Sequence, residues 1–381
     1  MSSPKVRGRR RLRIALISLV TVFVLLVAGV VGFGWYYSGQ LLEPENSRPG
    51  YRDTVTSSAA GTVTLAESRV SALPGRWGLV WPGGGAEVGP VTRRSQGSVV
   101  RELVGQAPPD GTRVRLETSV WATDPRTALG LEHEDVRVPT ELGDAPAWLV
   151  PATSSTWVVA VHGRGGTRAE ALRVTPTLHD LGLPVLAVTY RNDEGAPRSP
   201  DGLYHLGDTE WRDVEAAVRF ARDRGARDVV LYGWSMGGAI VGQFLTRSAD
   251  APLVRAVVLD APVVSWTDTL ELQSRNRGVP EQLVPIAELV SDWRADLEFD
   301  RFDLADHPPA HRPPTLLFHG GADGTVPVGS SRELAAAAPR LDWPVRYVEV
   351  PAAEHTAAWN VDPDAYEEAV TEFLDSVDTI R

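Results

Sequence analysis

Residues 227–240, Arg-Asp-Val-Val-Leu-Tyr-Gly-Trp-Ser-Met-Gly-Gly-Ala-Ile, decide how the rest of the chain is read. The apolar run from Val229 to Tyr232 predicts a buried strand, and the small and apolar residues after Gly237 fit a helix. Between them, Gly233-Trp234-Ser235-Met236-Gly237 predicts a turn so sharp that backbone segments touch, which requires residues without a Cβ on either side of the serine. Ser235 then stands clear of its neighbours at a helix N-terminus, the arrangement of a nucleophile elbow. A plain glycine-rich turn is the competing reading. The strand before, the helix after and the additional Gly238 favour the nucleophile.

Outward from the elbow the chain alternates strand and helix. Thr156 to Val161 predicts a buried strand ending in His162-Gly163-Arg164-Gly165-Gly166. A helical stretch over 169–181, a strand over 184–189 and a helix with Trp211, Val214, Val218 and Ala221 on one face come next. Beyond the elbow, Ala256 to Leu259, Pro314 to Phe318 and Arg346 to Val350 predict further strands. Tyr366, Val370, Phe373, Leu374 and Val377 give a last helix its apolar stripe. This rhythm predicts an α/β fold with a mostly parallel sheet covered on both faces, over 149–381. Residues 263–313 interrupt it, and are expected either as a lid over a pocket or as helices packed on the sheet. Residues 51–148 show short extended runs broken by Gly and Pro, with Asp110-Gly111 as a turn, and predict a small β-rich extension acting as cap or spacer.

Charge is divided unevenly along the chain. The net charge is -11, yet Lys5, Arg7, Arg9, Arg10, Arg11 and Arg13 crowd a basic tail, 1–13, without a single acid. The remainder is therefore more acidic still, which argues against nucleic acid as a partner. The chain has no cysteine, excluding disulfides, thiolate nucleophiles and cysteine-bound metal. Ile14 to Tyr37 carries no charge, and its core is long enough to span the hydrocarbon layer as one helix. Basic residues before it and Trp35, Tyr36 and Tyr37 at its far end predict a single-pass segment, N-terminus inside, with the large domain extracytoplasmic at the plasma membrane. The apolar core exceeds a signal-peptide h-region and has no small-x-small cleavage site, so an uncleaved signal anchor is expected rather than a cleaved leader. Residues 38–50, with Pro44 and Pro49, read as a linker.

A serine hydroxyl needs a base, and the base an orienting acid. Asp323 lies just beyond the strand 314–318 and His355 just beyond the strand 346–350. In a parallel sheet these loops open at the same edge as the elbow, where ligands bind. Ser235, Asp323 and His355 are therefore the candidate catalytic set, with Asp260, at another strand end, the rival acid. The backbone N–H groups of Met236 and Arg164 are the candidate oxyanion donors, with Gly163 or Gly165 as alternatives to Arg164. Gly163, Trp234 and Tyr190 are the candidate substrate-binding residues, with loop packing an equal reading for the Tyr190–Asp193 segment. His162 and His319 also follow strands, but a His-Gly pair there is read as shaping a loop. The glycines at 163–166 lack the Gly-Lys-Ser/Thr continuation of a phosphate loop. His205 with Asp208 and Asp362 with Asp364 are pairs without a third ligand, so neither a metal nor a cofactor is expected.

These features together resemble the α/β-hydrolase superfamily, in the serine-hydrolase branch of BEM46-like and prolyl-oligopeptidase-like hydrolases. The resemblance rests on the His162-Gly163 loop, the Gly233–Gly237 elbow, the Asp323 loop and the His355 loop across about 150–381. It also looks like a membrane-anchored or secreted actinobacterial type in which segments similar to Tyr190-Arg191-Asn192-Asp193 accompany the elbow. The resemblance implies an α/β-hydrolase fold and an acyl-enzyme mechanism with Ser235 as nucleophile, Asp323 as acid and His355 as base. The function expected is cleavage of carboxylic esters, with a small-molecule or lipid-like acyl compound as substrate. Thioesterase, peptidase and acyltransferase chemistry share the layout, as would a binding protein that had kept the fold. The extension at 51–148 is too short for the propeller of large oligopeptidases, which weakens a peptidase reading. Oligomeric state leaves no mark in the sequence.

Overall fold

A computed structural model describes residues 4–44 and 50–377. The uncharged run lies within one helix, α1 (Pro4–Leu42), which is long and apolar enough to cross a membrane. Its side chains from Ile14 to Val31 are exposed, whereas Gly34, Ser38 and Leu42 are buried against the rest of the protein. That packing carries the helix through 38–42, where the sequence predicts the start of the linker. The remainder of that linker, 45–49, and residues 1–3 of the basic tail lie outside the described residues.

Six strands follow: β1 (Asp53–Ala59), β2 (Thr62–Ala66), β3 (Trp77–Trp81), β4 (Gly84–Ser95), β5 (Ser98–Gly105) and β6 (Arg113–Glu117). They close into a barrel in the order β1-β2-β5-β4-β3-β6, which leaves no unpaired edge. Val55, Val63, Leu65, Leu79, Val99 and Val114 fill it, fully buried. Arg101 is also buried there, and burial lowers its pKa to about 10. Its guanidinium donates to the carbonyls of Gly89, Ser71, Leu73 and Gly75, so the cation has acceptors in place of water.

The barrel ends well before residue 148. After a short helix, α2 (Pro125–Leu129), β7 (Glu134–Thr140) and β8 (Gly143–Val150) form an antiparallel hairpin, and β8 pairs with the large sheet. The expected boundary at 148/149 therefore falls inside the large sheet rather than in front of it. The rest of that sheet and its helices are β9 (Thr156–Val161), α3 (Thr175–Asp180), β10 (Val185–Val188), α4 (Trp211–Asp223), β11 (Asp228–Trp234), α5 (Met236–Arg247) and β12 (Val254–Asp260). They continue as α6 (Trp266–Asn276), α7 (Val284–Ala295), β13 (Thr315–Gly320), α8 (Val328–Ala337), β14 (Val345–Val350), α9 (Ala358–Val361) and α10 (Pro363–Ser376).

The sheet order is β14-β13-β12-β11-β9-β10-β8-β7, parallel except for the pairings of β8 with β10 and β7. Successive side chains on a strand face opposite ways, which divides the core into two layers. Val159, Leu231, Val257 and Leu317 pack with α4 and α5, whereas Val158, Val230, Val258 and Leu316 pack with α3 and α10. The barrel is docked on the loop after β14: Ala353 and Ala357 complete its core. At Gly75 the barrel backbone passes so close to the Asn360 carbonyl that a Cβ would collide with it.

Candidate active site

The elbow is built by close backbone contact. A Cβ on Gly233 would lie 2.8 Å from the Gly237 carbonyl oxygen, and one on Gly237 would strike the Val161 carbonyl. Ser235 has φ of 51°, a conformation that costs an L-residue about 1–2 kcal/mol and is held here by its surroundings. Its N–H donates to Asp260 O at 3.0 Å, and its carbonyl accepts from Gly238 and Val263. Turned out this way, the side chain reaches His355.

Ser235 Oγ lies 2.9 Å from His355 Nε2, and His355 Nδ1 lies 2.8 Å from Asp323 Oδ2. The other oxygen of Asp323 accepts from the N–H groups of Thr325 and Val326. Burial alone would raise the Asp323 pKa, but hydrogen bonds with His319 and His355 outweigh it and hold the carboxyl well below its usual range. His319, fully buried, is 3.2 Å from Asp323 Oδ2 and is fixed at its other nitrogen by Ser331 Oγ at 2.7 Å. Asp260, the rival acid, is buried beneath the elbow, where burial raises its pKa to about 6 and Tyr366 Oη stands 3.3 Å away. Its carboxylate is not within hydrogen-bond contact of His355.

The loop after β9 passes directly behind the serine, since a Cβ on Gly163 would be 3.1 Å from Ser235 Cβ. Buried groups clamp this loop. Gly163 N–H donates to Glu170 Oε2, Tyr190 Oη donates to Gly163 O at 2.9 Å, and the His162 ring stacks on Tyr190 and reaches Asp193 Oδ2 at 2.9 Å. Glu170, Asp193 and His319 carry no sequence signal of this role beyond the strand ends near them. The N–H of Met236 opens α5 and, as a first-turn donor, has no acceptor within the helix.

Two residues expected at the pocket are elsewhere. Trp234 is 1% exposed and stacks on Tyr232 at 4.3 Å, because residues two apart on a strand share a face. Tyr190 is wholly buried and holds the loop rather than the cavity wall. Gly163 likewise supports Ser235 from behind. The Arg164 side chain lines the cavity and donates to the carbonyls of Gln40, Leu41 and Glu43, at and just beyond the C-terminus of α1.

A cavity of about 350 Å³ opens over Ser235 and His355. Its floor includes Val263 and Val326, its roof comes from Trp266 and Leu270 of α6 and Leu283 and Val284 at the start of α7, and Phe33, Tyr37, Gln40 and Leu41 of α1 form one wall. Helix α7 lies against α1 at Gly34, where a Cβ would approach Val290 Cγ2 to 2.6 Å. No group of His, Cys, Asp and Glu among the described residues has the arrangement of a metal site.

The model of the prolyl oligopeptidase family matches residues 175–377, and that of a domain of unknown function, DUF8805, matches 54–117. Among solved structures, the chain is similar to an esterase of Pyrococcus furiosus at 22% identity. That match has a TM-score of 0.54 and covers 67% of this chain and 96% of the esterase. Esterase 2 of Thermogutta terrifontis, solved phosphonylated by sarin, matches at 20% identity and TM-score 0.51, covering 66% of this chain and 96% of that one. At these identities the likeness establishes the α/β-hydrolase fold alone. No sequence match was found among curated proteins.

Proposed function

Because the chain belongs to the prolyl oligopeptidase family of serine hydrolases, we propose that it cleaves carboxylic esters through an acyl-enzyme. In this reading Ser235 is the nucleophile, His355 the general base and acid, and Asp323 the orienting acid. The observation that carries it is the run of two hydrogen bonds from Ser235 Oγ through His355 to Asp323 at the floor of the cavity. As Ser235 Oγ bonds to the ester carbonyl carbon, its proton passes to His355 Nε2, and Asp323 stabilises the imidazolium. The N–H groups of Met236 and Arg164 receive the oxyanion. Collapse breaks the bond to the alcohol, which leaves with the proton from His355. Water then attacks the acyl-serine, giving its proton to the same nitrogen, and the acid is released as Ser235 regains the proton.

An ester is favoured over a peptide because the cavity is small and bounded by apolar side chains of three helices. We further propose that 14–37 is an uncleaved signal anchor, with the basic tail cytoplasmic and the catalytic domain extracytoplasmic. Cleavage after the apolar run would remove Phe33 and Tyr37 from the cavity wall, which supports retention. The test is turnover of a graded series of p-nitrophenyl esters by the full chain in detergent, beside Ser235→Ala. A loss of about 10⁶-fold in kcat is expected; full turnover in the variant rejects the mechanism.

A further inference from the structure

The wall that α1 contributes to the cavity joins two parts of the chain that the sequence separates. About 20 residues of helix cross a hydrocarbon layer, so the stretch beginning at Ile14 reaches the far interface near Gly34. There the helix meets α7. Trp35 and Trp293 lie 6.2 Å apart, and the Arg294 guanidinium sits 4.4 Å from the Trp35 ring and 3.3 Å from Ser38 Oγ. Helix α7 is thereby fixed at the depth where the membrane segment emerges. On its outer side Leu289 is 68% and Trp293 76% exposed, the two large apolar side chains outside α1 and the barrel that are open to this degree among the described residues. Trp35 and Tyr36 of α1 are exposed alongside. On the inner side of the same two helices, Phe33, Tyr37 and Val284 line the cavity that ends at Ser235.

We infer that the protein takes its ester from the bilayer: the edge of α7 carrying Leu289 and Trp293 rests in the headgroup region, and an acyl chain of a membrane-resident lipid enters the cavity that Phe33, Tyr37 and Val284 line, to reach Ser235. The inference rests on the esterase reading above. The occupant of the exposed edge is a lipid surface because that edge is continuous with a segment long and apolar enough to span one, and an aromatic pair joins them at interface depth. The anchor is then part of the active site, and a soluble ester has no need of the exposed edge.

The experiment uses the full chain in phosphatidylcholine–phosphatidylglycerol vesicles with two substrates, p-nitrophenyl butyrate in the water and a pyrene-labelled diacylglycerol in the bilayer. Leu289→Glu combined with Trp293→Glu changes exposed side chains outside the cavity, so the soluble ester should turn over within about twofold of wild type. The bilayer ester should fall at least about tenfold. Undiminished turnover of the bilayer ester, or equal loss of both, overturns the proposal. So does a changed oligomeric state in detergent with the two substrates undivided, which would assign the edge to a second copy of the chain. If the wild-type protein cleaves neither ester, the hydrolase reading is what fails, and bilayer seating is read separately. The chain has no cysteine, so Trp293→Cys offers one site for an environment-sensitive fluorophore. Its emission should shift to the blue on vesicles, and an unshifted emission overturns the seating.

Discussion

Replacing Asn360 by alanine tests whether the barrel serves the catalytic loop. Asn360 is fully buried. Its Oδ1 accepts from Arg173 Nη1 at 3.0 Å, and its Nδ2 donates to the carbonyls of Arg76 at 2.8 Å and Thr118 at 3.0 Å. The substitution leaves both barrel carbonyls and one guanidinium N–H without that partner. Arg173 keeps its bond to Thr356 O at 2.6 Å, so its charge is not stranded. Each orphaned buried group costs about 1–3 kcal/mol, and the three together, taken at the low end because water can reach a vacated amide site, cost about 3 kcal/mol. At about 2–4 °C per kcal/mol this lowers the thermal midpoint by roughly 6–12 °C. Thr356 follows His355 and accepts from the same arginine, so ester kcat/KM should fall about tenfold at a temperature where the variant is still folded. Differential scanning calorimetry and p-nitrophenyl ester kinetics on the same preparation read both effects. A midpoint within about 1 °C of wild type, or lower stability with unchanged kcat/KM, would refute the coupling.

Further outcomes are open to direct measurement. Gly237→Ala sets a Cβ against the Val161 carbonyl, so it should abolish turnover and lower stability by about 3 kcal/mol or more, read by denaturant unfolding; a well-folded, active variant would contradict the elbow packing. Asp323→Asn should reduce kcat about 10⁴-fold with the fold retained; near-normal turnover would move the orienting role to another carboxylate. Arg164→Ala leaves the backbone N–H in place but frees the end of α1, and turnover of long-chain esters should drop about tenfold more than that of acetate; uniform loss across the series would deny α1 its part in the pocket. Stability should decline with rising pH in two windows. Asp260, raised by burial from 3.8 to about 6, gives a loss between those values. His162 is raised above 6.5 because Asp193 and Gly163 outweigh its burial, so its stabilisation is complete below about pH 6.5 and lost as pH climbs through the folded value. Thermal midpoints across pH for Asp260→Asn and His162→Gln should flatten the lower and upper windows respectively, and unflattened profiles would count against both assignments.

The large sheet is legible in the sequence because its central strands are buried on both faces and read as unbroken apolar runs, as at Thr156–Val161 and Thr315–Gly320. The meeting of Ser235, Asp323 and His355 is legible for a related reason: each follows a parallel strand and opens at the same edge. The β7–β8 hairpin escapes notice because only Val136 and Val138 of β7 are buried, and charged residues fill the alternate positions. In the barrel, β4 carries Gly84, Gly85, Arg93 and Arg94 in a strand that closure rather than apolar patterning defines. Trp234 misleads, and Tyr190 stays open between pocket and loop packing, because position in a loop sequence says which sheet edge a residue occupies, not which side of the strand its ring takes. The docking of α7 on Gly34 is hidden for a different reason. Both partners lie in stretches whose apolar character already has a local explanation, and 252 residues separate Gly34 from Ile286.

The bonds of Asn360 also impose an order of events. They join the barrel to the histidine loop across 284 and 242 residues. A chain synthesised from its N-terminus presents the long apolar helix first and the barrel second, long before His355 has been made. The barrel must therefore persist with the surface around Gly75 uncovered, and that surface gains its partner only when the β14 loop arrives. Ser235 is translated some 120 residues ahead of His355, so the hydrogen bond between them cannot form until nearly the whole chain has been made.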